Sequence, residues 1–311
     1  MPVFASICHD DKDVKFTRGL AVFRENCVHL YFEIPGMNDK GPQNIIEKAR
    51  FWSLTVETDG RALHALARST VDDSQALDFA AMLDPTASPR EALEEAVYSI
   101  PALLSDFGRV DVVCRTSGYT AVPSFFDRGA CEAAAECAGI LDEDSTLFVD
   151  DIAGADARLV WTLQSDTANF LARTFRNPRL HHPLGILGSY FMSKAAQGNF
   201  GKTWVHFHGH SQVDIICCGA DGRLRSLASK TAATDNDALF MIMSTLVLNG
   251  FNTTADDLYL CGDRARREVL TPTLRRYVRS VLPVIFPSAA YRAGGDATAA
   301  PFPSVILPLC E

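Results

Sequence analysis

The sequence predicts a two-lobed, mixed α/β protein in which one arrangement of strands and helices occurs twice. Three observations carry this reading. Residues 203–230, TWVHFHGHSQVDIICCGADGRLRSLASK, read as three strands joined by two turns. A helical segment, Asp235–Leu248, a short buried-type strand, Leu258–Cys261, and a Gly262-Asp263 turn follow them. The same order of elements can be traced from Phe51 onward. At 311 residues the chain has room for two domains of ordinary size.

Residues 1–36 stand apart from this pattern. A charged stretch, His9–Asp13, precedes an apolar one, Val28–Ile34, and Pro35-Gly36 supplies a turn signal. Met37 reads as a fresh start, so residues 1–36 are expected to be an extension ahead of a natural initiator.

The first lobe is expected over residues 37–177. Phe51–Glu57 is a strand, and Thr58-Asp59-Gly60 turns it, because Asp-Gly tolerates the positive φ angles of a tight hairpin. Arg61–Ser69 returns with Leu63, Ala65 and Ala67 on one face, and Ala76–Met82 is a third strand. Ser88 is placed to cap a helix whose Ala92, Leu93, Ala96, Val97 and Ile100 recur at three-to-four spacing. Pro101 should break it. Val110–Arg115 is a buried-type strand and Asp127–Ile140 a helix of small residues. Two strand–helix units follow: Arg158–Leu163 with Asp166–Phe175, and Arg179–His182 with Leu184–Ala196. Arg176-Asn177-Pro178 marks the expected boundary. The second lobe then covers residues 178–311, including a central helix at 184–197. Its strands are Trp204–His208, Gln212–Cys218, Arg223–Ser229 and Leu258–Cys261. Its helices are Asp235–Leu248 and Arg264–Val281, the latter disturbed by Pro272.

Net charge is −9 and unevenly spread. Residues 1–155 hold 13 Lys and Arg against 26 Asp and Glu, and residues 156–311 hold 16 against 12. The acidic half argues against nucleic acid as a general partner. The basic half concentrates Arg264, Arg266, Arg267, Arg275, Arg276 and Arg279 on one predicted helix and its flank. That cluster reads as a solvated helix face or as a docking surface for an acidic partner. No apolar run approaches the roughly 20 residues of a membrane helix, so no membrane insertion is expected. Nine cysteines, without a CxxC pair, fit free thiols in a reducing cytoplasm.

Three segments carry a family resemblance: Thr120-Ala121-Val122-Pro123-Ser124-Phe125-Phe126-Asp127, Arg179-Leu180-His181-His182-Pro183-Leu184, and Leu224–Leu239. Over roughly Met37 to Pro287 the chain resembles an uncharacterised bacterial domain family with a duplicated actin-like ATPase (ribonuclease H-like) fold. Ala232 and Ala233 depart from that family's usual aromatic and hydroxyl residues. The resemblance implies an interlobe cleft in which two Asp-x-Gly hairpins hold Mg²⁺-ATP phosphates and a Gly-Gly turn meets the adenosine.

The residues at those stations are degraded. Asp59-Gly60 lacks the spacer of Asp-x-Gly and reads equally well as a plain hairpin turn. In the second hairpin Gly209 survives, but Phe207, or His206 or His208 on a shifted register, stands where the acid belongs, and Asp214 lies beyond the turn. At the adenosine turn Gly262 is followed by Asp263. If a nucleotide site is retained, Asp59, Gly60, Gly209, Asp214 and Gly262 would form it. His206 and His208 share a strand face at a known zinc-ligand spacing, with His210, Cys217, Cys218, His181 or His182 conceivable as a third ligand. Hairpin histidines are usually surface or core residues, so no metal is expected and a zinc site is the weaker alternative. The expectation is therefore a cytoplasmic pseudo-ATPase without catalytic residues or cofactor, acting as a scaffold or protein-interaction module. Its alternative is a divergent ATPase or kinase-like phosphotransferase using ATP and Mg²⁺ in the cleft.

Overall fold

Alternating apolar residues build two sheets of the same design. A computed structural model describes residue 46 and residues 48–58, 61–195, 199–209 and 211–310. The expected extension at 1–36, the Asp59-Gly60 turn and His210 lie outside them. Strands β1 (Trp52–Thr58), β2 (Ala62–Ser69) and β3 (Ala76–Met82) form an antiparallel meander. Helix α1 (Pro89–Ser99) returns the chain to β4 (Arg109–Cys114), which lies parallel to β1. Ser88 Oγ accepts from the Glu91 amide and Glu91 reaches back to the Ser88 amide, a complete capping box. Helix α1 stops at Ser99, and Pro101 opens a separate 3-10 turn.

Between β4 and the last strand of this sheet the chain inserts a smaller layer. It comprises β5 (Tyr119–Pro123), α2 (Arg128–Cys137), β6 (Ser145–Asp151), β7 (Ala157–Gln164) and α3 (Ser165–Thr174), with strand order β5-β7-β6. Then β8 (Arg179–His181) pairs parallel with β4 and completes the first sheet, ordered β3-β2-β1-β4-β8. The boundary expected at Arg176–Pro178 therefore falls one strand early: β8 belongs to the first lobe. Its apolar Leu180, paired with Val112, explains why.

Helix α4 (Pro183–Met192) has all ten residues buried, a helix apolar on nearly every side and set between layers. It ends at Met192, short of the expected 197. The Ser193 hydroxyl turns back to the Tyr190 carbonyl, and the Lys194 and Ala195 amides make tight bonds three residues back.

The second sheet repeats the first. β9 (Lys202–His208), β10 (Gln212–Cys218) and β11 (Leu224–Thr231) form the meander, and α5 (Asp235–Leu248) leads to β12 (Asp257–Gly262), parallel to β9. Helix α6 (Arg264–Leu274) is shorter than expected, because Val281 belongs to a strand, β13 (Ser280–Pro283), parallel to β12. Pro272 removes one helical donor near the end, and the Arg276 and Tyr277 amides tighten into three-residue turns. The order β11-β10-β9-β12-β13 matches the first sheet strand for strand.

Period-two alternation separates two cores. Trp204, Ile216, Cys218 and Cys261 join the large core around α4, whereas Val205, Phe207, Val213 and Ile215 pack under α5 and α6. The last three helices, α7 (Ser288–Arg292), α8 (Gly295–Ala299) and α9 (Phe302–Ile306), return to the first lobe. Helix α8 packs on β3, and α9 packs on β1 and α4. The expected second lobe, 178–311, thus loses its C-terminal segment as well as β8.

Candidate functional site

Strands that end side by side leave a crevice at their carboxyl ends, where side chains from different elements converge. The end of β4 delivers Arg115, Thr116 and Ser117, and β5 opens with Tyr119. The β9–β10 hairpin delivers His208, Gly209, Ser211 and Gln212, and β11 adds Ser229 and Thr231. With Arg61 they enclose a cavity of about 520 Å³ whose described lining is wholly polar or glycine.

Three contacts tie the lobes together beside this cavity. Arg115 Nη1 donates to Asp214 Oδ1 at 2.7 Å and Nη2 to Oδ2 at 3.0 Å, a bidentate pair. Asp214 is fully buried. It also accepts from Ser229 Oγ at 2.7 Å, and His206 Nδ1 lies 2.9 Å from its Oδ2. The Tyr119 hydroxyl accepts from the Ser229 amide at 2.7 Å and donates to the Ser229 carbonyl at 3.2 Å. Glu57, at the end of β1, accepts from Ser304 Oγ at 2.7 Å, and its other oxygen lies 3.9 Å from His208 Nδ1.

Burial alone would raise the Asp214 carboxyl, but Arg115 and then His206 outweigh it and hold it well below the usual carboxylate range. Burial lowers His206, with the Asp214 bond pulling the other way; its imidazole is neutral and Nδ1–H donates. Asp214 is thus an ionised group whose oxygens already receive four hydrogen bonds. Hydrated Mg²⁺ at an actin-like second hairpin needs a carboxylate with free lone pairs. These residues do not fit it: among the described residues no carboxylate lines the cavity, and a guanidinium holds Asp214.

A family model described as "Protein of unknown function (DUF3822)" matches residues 46–281. The chain belongs to this family. The solved structure of a Bacteroides thetaiotaomicron protein with actin-like ATPase fold and unknown function is similar, with a TM-score of 0.72 at 17% identity. That similarity covers 86% of this chain and 100% of that one. The PilM-PilN type IV pilus biogenesis complex follows with a TM-score of 0.53 at 12% identity, over 84% and 98% of the two chains. Such likeness shows the fold, and the fold is that of the actin-like ATPases. No curated protein matches by sequence.

The structure brings together only part of the site expected from this family member's sequence. Asp59 and Gly60 lie outside the described residues. Gly209, at φ +51°, lines the cavity with open space where a side chain would project. Asp214 adjoins the cavity only through Arg115 and Ser229. Gly262 has a different role: it sits at φ +85° opposite Phe207 on β9, and a Cβ there would run into the Phe207 carbonyl. Its lack of a side chain serves strand packing. Asp263 caps α6 by accepting from the Arg266 amide at 2.8 Å. His206 and His208 do share a face, with ring centroids 6.1 Å apart. Yet among the described residues no set of three His, Cys, Asp or Glu is placed to hold a metal ion.

Of the expected docking arginines, Arg264, Arg275, Arg276 and Arg279 are exposed and Arg267 is partly so. Arg266 is withdrawn. It is buried, donates to the Ala232 and Thr234 carbonyls at 3.3 Å, and lies over the Phe207 ring. Arg115, Tyr119, Ser229 and Glu57 were not anticipated. Arg115 had one readable signal, a cation directly after the apolar run Val110–Cys114.

Proposed function

We propose that this protein is a non-catalytic actin-like domain, a pseudo-ATPase acting as a scaffold or protein-interaction module in the cytoplasm. The bidentate Arg115–Asp214 pair carries the reading. In a working site of this fold, metal and phosphates bring charge to the cleft and draw the lobes together. Here a guanidinium fixed in the chain supplies a cation that pairs with Asp214 across the lobes. The PilM-PilN complex, a fold relative that assembles with another protein, supports an interaction role. Among the described residues no helix is long and apolar enough to cross a membrane.

The polar cavity of about 520 Å³ favours a second reading, a divergent ATPase or phosphotransferase binding nucleotide between the lobes. Thermal melts with ATP and ADP, each with and without Mg²⁺, separate the two. Ligand at 100 times its Kd adds roughly 2.7 kcal/mol of stability. The scaffold reading expects no Mg²⁺-dependent shift and no phosphate release. A shift that Arg61→Ala abolishes, together with turnover, would establish the second reading. Gly262 variants are unsuitable reporters, because they disturb strand packing whether or not nucleotide binds.

A further inference from the structure

Helix α5 breaks a rule that the other outer helices keep. A helix lying on a sheet buries one stripe and turns charged residues to water. From Ala238 to Ala255 this chain has no charged residue. The inner stripe, Ala238, Ile242 and Leu246, packs on the second sheet. The outer side is apolar too: Phe240 is 66% exposed, Val247 73% and Leu248 85%. Phe240 and Val247 are two turns apart and share a face. Helix α6 packs beside α5 over the same core and adds Val269, 57% exposed.

Charge of both signs borders this apolar surface: exposed Asp237 stands one turn before Phe240 on α5, and arginines gather on α6 and beyond its end. Between Arg264 and Leu282 stand six arginines and a single acid, Glu268, which Arg264 holds at 2.7 Å. Arg267 and Arg275 turn to backbone carbonyls at Gly262 and Val281. Arg276 and Arg279 are exposed, with no side-chain partner among the described residues.

We propose that the outer face of α5 and α6 is a docking surface for an acidic amphipathic helix of another protein. This rests on the interaction reading above and names the surface and the partner's chemistry. Apolar side chains of the partner would cover Phe240, Val247 and Leu248, the centre of such an interface. Its carboxylates would meet Arg276 and Arg279 at the rim, where charge sets orientation and association rate. A nucleic-acid backbone matches the arginines but leaves Phe240, Val247 and Leu248 in water, so protein is the better fit.

The test uses the full chain and a labelled synthetic helix with leucines at i, i+3, i+4 and i+7 and glutamates on its flanks. Fluorescence anisotropy compares it with the same peptide carrying lysines. Binding of the glutamate peptide should be at least about tenfold tighter, and should fall about tenfold in Phe240→Ser/Val247→Ser and in Arg276→Glu/Arg279→Glu. Both variants change exposed positions and should keep the wild-type melting temperature. Equal binding of the two peptides overturns the proposal, as does binding unaffected by the variants. So does displacement of the peptide by random-sequence duplex DNA. A wild-type dimer in sedimentation that the serine variant dissolves assigns the face to a second copy instead. Nucleotide melts on the same preparation judge the non-catalytic reading separately, so either can fail alone.

Discussion

His182 shows how one side chain can be wholly committed to architecture and still report on it. Its Nδ1 accepts from the Leu184 amide at 3.2 Å, capping α4, and its Nε2–H donates to the Thr116 carbonyl at 3.0 Å. The bond accepted by Nδ1 requires the neutral ring, because a protonated Nδ1 has no lone pair to offer. The ring's pKa falls from 6.5 to about 4, chiefly through burial, with the Thr116 bond opposing, Arg115 adding to the fall and Asp214 opposing it. The unfolded chain therefore takes up a proton first as pH falls, and stability from this group, complete above 6.5, is lost on the way to 4. Asp150 works the other way: its carboxyl is raised to about 6, chiefly by burial, although the His182 amide donates to it at 2.8 Å. Comparing wild type with His182→Asn isolates the histidine. The wild-type advantage should shrink by about 3 kcal/mol between about pH 7 and about pH 4, measured by urea unfolding. An unchanged difference between the two proteins would mean that the ring titrates normally in the folded state.

At the level of elements, local pattern was legible where a strand or helix buries one face against its own neighbours. β3, β10 and α5 fall at their expected residues, and the Ser88 cap is formed. The misses have a common physical origin. β13 and the C-terminal helices are four to five residues long, too short to display a period, and β8, expected as a strand, takes its sheet through a long-range pairing with β4. The cleft was legible in outline, since Gly209 and His208 do line it, but Arg115 and Asp214 meet across 99 positions of sequence. Gly262 shows a related limit: a glycine after a buried strand fits close approach by a ligand or by backbone, and the β9–β12 pairing reveals the backbone approach. Gly262→Ala should therefore destabilise by about 3 kcal/mol or more, combining left-handed strain with the clash against Phe207. Chemical unfolding measures this. A nearly neutral variant would show that β12 can shift away from β9.

For the molecule as a whole, the decisive feature is that the lobes hold each other through groups of the chain itself. Arg115, with 8% of its side chain exposed, faces an Asp214 with none. Removing one partner leaves the other charge buried, so Arg115→Ala should cost about 3–5 kcal/mol. The double variant Arg115→Met/Asp214→Leu removes both charges and should recover most of that loss, because replacing a buried pair with apolar side chains is often neutral or better. Stability alone would not separate a lobe contact from an ordinary buried ion pair. Hydrogen exchange does so. The Ser229 amide donates to the Tyr119 hydroxyl across the cleft, while the Ser229 hydroxyl bonds Asp214 of the pair itself. If the pair holds the lobes together, Arg115→Ala should open the cleft and speed exchange at Ser229 beyond the change in global stability. Amides of the α5 core, such as Ile242, should follow global unfolding only. On the scaffold reading, Mg²⁺-ADP should leave Ser229 exchange in the wild type unchanged. Slower exchange with nucleotide would return the cleft to the ligand-gated behaviour of a working ATPase.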